Sequence, residues 1–406
     1  MKTAGIHLTS IHIYMPHYAS PTPRTTAWLI IPAIMLAVIS ALAAACSGTG
    51  PAGSHTGLQT VYEPRYAHGF AIMGNDSMLS TVLRVYNPWQ GAEGVTFDYF
   101  VARGGEEAPA DFAGKVIKAG ARRIVCMSSS YVAMLDALGA VDRIVAVSGL
   151  DYVSNPHVNA RRGEIKDIGA EPDPEAITAL HPDLVLLYGI RGAQSSVTAK
   201  LDEIGIPYVY MGEYLEESPL GKAEWLVALA ELLGCRDAGE RAFAPIPHRY
   251  DSLCAVAARA SSTPRVMVNA PWSDTWYMPS AKSYVVRLIE DAGGEYVMQG
   301  NETNASSTIG METALALLRS ADIWLDAGHV PDIAALTQSN PLYADTPPVM
   351  SGRVYNSDLR TNSRGANDFW ESAVIHPDIV LADLIAIIHP ELADGHRLYY
   401  YRRLAR

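Results

Sequence analysis

The sequence predicts an α/β protein of two doubly wound lobes joined by a connecting helix, with a small antiparallel β addition on the N-terminal side. Three observations carry this. Leu184-Val-Leu-Leu187 is a short unbroken apolar run, the pattern of a strand buried on both faces of a parallel sheet. A short helix leads into it: Asp173 is a good N-cap, Pro174 suits the first helical position, Glu175 sits where the helix dipole favours an anion, and Pro182 ends the helix by Leu180. That pair is half of a right-handed βαβ unit. The arrangement then recurs, with Glu312 opening a helix and Asp322 preceding Ile323-Trp-Leu325.

The chain of 406 residues has room for two ordinary domains. Its net charge of −12 sets nucleic acid aside as a partner, because counterion release needs clustered Lys and Arg. An acidic protein of this kind suits a basic partner face.

Residues 1–45 are expected to be a lipoprotein signal peptide: Arg24 precedes an uncharged apolar run over Ala27–Ala45, and small residues stand before Cys46. Cleavage before Cys46 would put lipid on its sulfur, with 46–56 as a flexible tether. Ala43 stands where Leu is commonest, and an uncleaved membrane anchor is the other reading. Either places the remainder outside the cytoplasmic membrane. Met1 and Met15 are both candidate starts.

Residues 57–115 read as the β addition, from strands at Gly69–Met73, Leu79–Tyr86 and Val95–Ala102, with Trp89 in its core. The first lobe spans 116–234; it holds strands at Arg123–Met127 and Arg143–Ser148, a loop from Leu150 to His157, and an amphipathic helix over Gly221–Leu233. Residues 235–262 are the connecting helix, which either begins near Pro247 or kinks at Pro245 and Pro247. Residues 263–406 form the second lobe, opening on Arg265–Asn269 and closing with a helix from Pro377 to Ile388 and a tail that packs across a lobe. Cys126 is expected to be a buried small hydrophobe, while Cys235 and Cys254 are either a disulfide or two free thiols.

The chain has no GxSxG, HExxH, Walker or GxGxxG motif and no catalytic set, and no metal-ligand spacing. Ser128–Ser130 reads as a helix cap. His181, His376 and His389 each precede a proline and read as surface or capping residues; His157 and His329, at loop ends of the two lobes, are weaker candidates for a bound chelate's metal.

Taken together, the Glu175 and Glu312 stretches resemble the binding proteins of ABC importers for cobalamin, ferric siderophores and heme, a resemblance spanning Ala121–Leu392. It implies that ligand lies between the lobes and that one glutamate per lobe, by position Glu175 and Glu312, docks on arginine pockets of the permease. It also implies a permease with its ATPase as partners, a metal-chelate ligand, no cofactor of the protein's own, no enzymatic activity, and a monomer tethered to the membrane by lipid. Ligands bind at strand-to-helix loops of open sheets. The candidates there are Tyr131, Tyr152, Tyr188 and Arg191 in the first lobe, and Trp272, Trp276, Tyr277 and Arg360 in the second. Aromatic faces suit a flat macrocycle or catecholate, and arginines suit its carboxylates. Trp370, beside Phe369, is assigned to the core instead. A ferric siderophore-like complex is the first choice of ligand, with cobalamin, another corrinoid or heme as the alternative. A direct metal-ion binder and a surface enzyme are rivals of different class.

Overall fold

Alternating apolar residues from Phe70 to Val101 build the first sheet. The computed structural model describes residues 57–169, 173–189, 196–273, 275–301, 303, 305–393 and 395–406. Strands β1 (Gln59–Tyr62), β2 (Phe70–Gly74), β3 (Thr81–Tyr86) and β4 (Thr96–Ala102) form an antiparallel meander, and β5 (Lys115–Lys118) joins parallel to β4. The expected addition is present, with one parallel strand at its edge.

The next sheet is wholly parallel, in the order β10-β9-β6-β7-β8: β6 (Ile124–Cys126), β7 (Ile144–Val147), β8 (Lys166–Asp167), β9 (Leu184–Leu187) and β10 (Tyr208–Tyr210). All four residues of β9 are buried, as their apolar run requires. Helices α1 (Ser129–Ala137), α2 (Pro156–Ala160), α3 (Pro174–Ala179) and α4 (Ser196–Ile204) connect these strands. Asp173 caps α3 by accepting from the Glu175 N–H at 2.9 Å.

Helix α5 (Pro219–Leu232) departs from its amphipathic reading, since every residue but Lys222 is buried. Its polar stripe faces the N-terminal addition. Glu224 accepts from the Tyr62 hydroxyl at 2.8 Å and from the backbone N–H groups of Arg65, Tyr66 and Ala67 at 2.9, 2.7 and 2.8 Å. One turn pair further on, Glu231 pairs with Arg103 at 2.6 Å and with the Thr81 hydroxyl. Replacing Glu224 by Ala strands four donors. At about 1–3 kcal/mol per unsatisfied buried group, denaturant unfolding should show a loss of about 4 kcal/mol, and Glu224→Gln, which keeps one acceptor oxygen, should lose less. A loss under about 1 kcal/mol would show that water replaces the carboxylate.

The connector is broken, not continuous: α6 (Arg236–Phe243) and α7 (Pro245–Ala257) meet at Ala244, with Pro245 at the first position of α7. Cys235 and Cys254 are free thiols, and Cys126 is buried. Burial pushes the Cys126 thiol well up.

The third five-stranded sheet runs β14-β11-β16-β17-β18. Its strands are β11 (Arg265–Val268), β14 (Glu295–Tyr296), β16 (Ile323–Leu325), β17 (Val354–Asn356) and an antiparallel edge strand β18 (Arg402–Arg403). Between them, β12 (Pro271–Trp272), β13 (Thr275–Met278) and β15 (Ser307–Ile309) make a small antiparallel sheet. Helices α8 (Tyr284–Asp291), α9 (Met311–Arg319), α10 (Ile333–Ser339), α11 (Pro347–Ser351), α12 (Phe369–Ser372) and α13 (Pro377–Ile388) complete the chain. Buried Asp383 gathers the tail by accepting from the Tyr399, Tyr400 and Tyr401 N–H groups.

The two lobes repeat one construction. Asp183 accepts from the N–H groups of Arg122 and Arg123, at 2.8 and 2.9 Å, and Asp322 accepts from that of Arg265 at 2.7 Å. The Arg123 guanidinium donates to the Leu180 carbonyl that ends α3, and that of Arg265 to the Ser320 carbonyl that ends α9. Each helix that opens on a glutamate is thus fastened to the strand that starts its lobe.

Candidate ligand-binding cleft

In open parallel sheets, ligands meet the loops at the carboxyl ends of the strands. In the first lobe these loops leave β6, β7, β9 and β10; in the second they leave β11, β16 and β17. Three large rings there stay exposed: Tyr152 (43 %), Trp272 (51 %) and Trp370 (62 %). Trp370 corrects its core assignment. Phe369 is buried against Tyr400 and Tyr401 instead, and a helix of four residues can turn only one of two adjacent rings inward.

The second-lobe floor carries backbone strain. Asn269 and Asp326, the residues that follow β11 and β16, have φ of 65° and 56°, and Ser273 has 53°. Non-glycine residues persist there only where the surroundings hold them. Asn269 donates to the Tyr277 carbonyl at 2.8 Å and its own carbonyl takes the Trp324 indole N–H at 2.7 Å; Asp326 accepts from the N–H and hydroxyl of Ser357 at 2.8 and 2.7 Å. Burial raises the Asp326 carboxyl above its ordinary range.

In the first lobe, Ser128 caps α1, its hydroxyl lies 2.8 Å from that of Ser130, and Ser130 donates to Glu213 at 2.9 Å. Glu213 follows β10, and its Oε2 is buried with no hydrogen-bond partner among the described residues. Burial pushes its carboxyl up to about 7, against the pull of Lys222 and Ser130.

Two of the expected ligand residues are corrected. Tyr131 is fully buried, its hydroxyl donating to the Leu187 carbonyl at 3.3 Å, because α1 packs apolar residues both on its own sheet and on α12. Trp276 is also fully buried: the stretch read as a loop is a hairpin, and strand alternation turns Trp276 and Met278 inward. Its indole N–H donates to the Val268 carbonyl at 3.0 Å, and its ring stacks on Trp324. Tyr277, on the opposite face, and Tyr188 are half-buried. Arg191 and Cys46 lie outside the described residues. Arg360 is half-exposed, ion-paired to Asp368 at 2.6 Å and stacked over Tyr399 at 4.2 Å, so its charge is already met within the protein. His157 and His329 are exposed, and among the described residues no group of three metal-ligating side chains forms. His389 also differs from expectation: it is buried, with Nε2 3.0 Å from the Gly293 carbonyl.

Residues not anticipated from the sequence join the lobes beside the cleft. Glu371 accepts from the Ser154 N–H at 2.7 Å, Asp368 accepts from the Ser154 hydroxyl at 3.2 Å, and the Ser129 hydroxyl donates to the Trp370 carbonyl at 3.3 Å. Ser154, Asp368 and Glu371 line a groove of about 620 Å³ that also holds Arg360 and His376. A carboxylate three residues beyond an Arg-paired aspartate was no signal by itself, because its partner lies more than two hundred residues away.

The sequence pattern of the periplasmic binding protein family matches residues 124–361, and the chain belongs to that family. An uncharacterized lipoprotein of Methanocaldococcus jannaschii, MJ0878, is 26 % identical over 301 residues, covering 71 % of this chain and 70 % of its own. A periplasmic heme binding protein from Pseudomonas aeruginosa superposes with a TM-score of 0.54 at 18 % identity, over 70 % of this chain and 99 % of its own. The periplasmic vitamin B12 binding protein BtuF of Vibrio cholerae does so with a TM-score of 0.50 at 16 % identity, over 69 % of this chain and all of its own (100 %). At such identities the likeness to the solved structures is one of fold.

Proposed function

We propose that this protein is an extracytoplasmic solute-binding protein that captures an iron complex of the ferric siderophore type and delivers it to an ABC permease. The observation that carries it is a set of exposed rings: two lobes of matched construction present Tyr152, Trp272 and Trp370 on their strand-end loops. Each such ring offers large contact area at low entropic cost to a flat, conjugated ligand. Heme or a corrinoid is the second reading, favoured by the names of the two solved proteins with this fold. The lipoprotein relative supports an anchor through Cys46, and no helix among the described residues is long and apolar enough to cross a membrane.

Titration of the purified chain with hemin, cyanocobalamin, a ferric tris-catecholate and zinc tests the proposal. One of the three chelates should quench tryptophan fluorescence and shift its own visible spectrum at micromolar concentration. Binding of zinc alone, or of nothing, overturns it.

A further inference from the structure

We infer that the N-terminal addition is a working wall of the ligand cleft and sets which ligand sizes the first lobe accepts. This rests on the binding function proposed above and extends it to residues before 124, where the family match begins.

The addition grips the strand-end loops at two separate places. The first is the loop between β3 and β4. Asn87, with φ of 43°, closes it by donating its N–H to the Val95 carbonyl at 2.8 Å and accepting from the Val95 N–H at 3.0 Å. Pro88 and Trp89 then press on Gly189, just beyond Tyr188 at the end of β9. A Cβ on Gly189 would stand 2.4 Å from the Pro88 carbonyl oxygen and 3.1 Å from the Trp89 Cβ, so only glycine fits. The Trp89 ring meets Tyr210, the last residue of β10, and Phe97, each edge-on at 5.9 Å.

The second grip is on the loop that leaves β10. Glu216 accepts from the N–H groups of His68 and Gly69, at 3.0 Å each, and from the Trp225 indole N–H at 2.8 Å. Gly69 and Gly212 face the same indole, where an added Cβ would come to 2.6 and 2.9 Å. The turn from Gly212 to Glu216 is therefore pinned by a segment outside the family match. That turn carries Glu213, whose hydrogen bond to Ser130 continues to Ser128 at the start of α1. The addition thus fixes the separation of Tyr188 from the Ser128–Ser130 corner. Pro88, Trp89 and Glu216 are positioning residues, and they act on ligand selection through the loops they hold.

The test uses the full chain carrying Trp89→Ala or Gly189→Ala, with Leu79→Ala on the same addition as control. Affinities for hemin, cyanocobalamin and a ferric tris-catecholate are read by absorbance titration, beside Tm. A wall predicts unequal changes: the affinity ratio between the best and the poorest ligand should move at least tenfold in both variants. Leu79→Ala should leave it unchanged, and Trp89→Phe should restore it to within about threefold. If Gly189→Ala fails to fold, the Trp89 pair decides alone. A folded Trp89→Ala with all affinities unchanged, or lowered by one common factor, overturns the wall while leaving the binding function standing. A wild-type chain that binds none of the three overturns both.

Discussion

Reversing both corner glutamates, Glu175→Arg with Glu312→Arg, is expected to bring ligand uptake to background while ligand affinity stays within about twofold of wild type. Both carboxylates are exposed in the first turn of a helix, and among the described residues neither has a hydrogen-bond or ion-pair partner. An anion held there gains from the helix dipole, and no described residue pairs with it. Each helix is fastened through Asp183 or Asp322 to the strand that starts its lobe. A grip on either corner is therefore a grip on a whole lobe. Placing arginine at these sites costs about 0.3–1 kcal/mol of helix stability each, too little to unfold the chain, and Glu→Gln at both sites separates charge from fold. Charge complementarity at such corners chiefly fixes orientation and speeds encounter. The measurement is uptake by membranes carrying the permease and its ATPase, beside a binding titration. Loss of affinity equal to the loss of uptake would mean that the glutamates serve the cleft.

What the sequence disclosed follows the range of the forces involved. Asp173, Pro174, Glu175 and the β9 run were legible because capping and burial on both sheet faces act over a few residues. The break in the connector was legible as one of two alternatives from Pro245 and Pro247, and the first of the pair begins α7. Helix α5 was misjudged for the opposite reason. Periodicity shows which face is polar and is silent on what covers it, and the groups that bind Glu224 come from about 160 residues earlier in the chain. Trp276 was misplaced because a prolyl segment rich in aromatics looked like a loop, whereas pairing with β15 makes it a strand with an inner and an outer face. Arg360 was found as a residue but not as an ion pair, since Asp368 reaches it across a turn the sequence does not mark.

Stability is expected to fall by several kcal/mol as pH rises from about 5 to about 8. Burial pushes the carboxyls of Glu213 and Glu371 each up to about 7; at Glu371 the nearby Asp368 charge adds to burial, and the Ser154 N–H opposes it. Unfolded, each carboxyl returns to the ordinary glutamate range near 4.3. Between those values the folded chain holds protons that the unfolded chain releases, so unfolding liberates protons and raising the pH drives it. The contribution is fully present below the unfolded value and is lost as pH passes the folded one. At about 1.4 kcal/mol per pH unit of difference, each group is worth on the order of 3 kcal/mol. His376 works in the other sense: burial lowers its pKa, so protonation of the unfolded chain erodes stability on the acid side of the ordinary histidine range. Denaturant midpoints measured from pH 5 to 8 should fall up to about pH 7 in the wild type and level off above it. Glu213→Gln and Glu371→Gln should each flatten the slope, and the double substitution should nearly remove it above pH 6.5. Because Glu371 accepts from the Ser154 N–H of the other lobe, its ionisation is expected to act at the seam between them. An Glu371→Gln chain whose midpoints still fall with wild-type slope would show that the proton resides elsewhere and that the seam is indifferent to it.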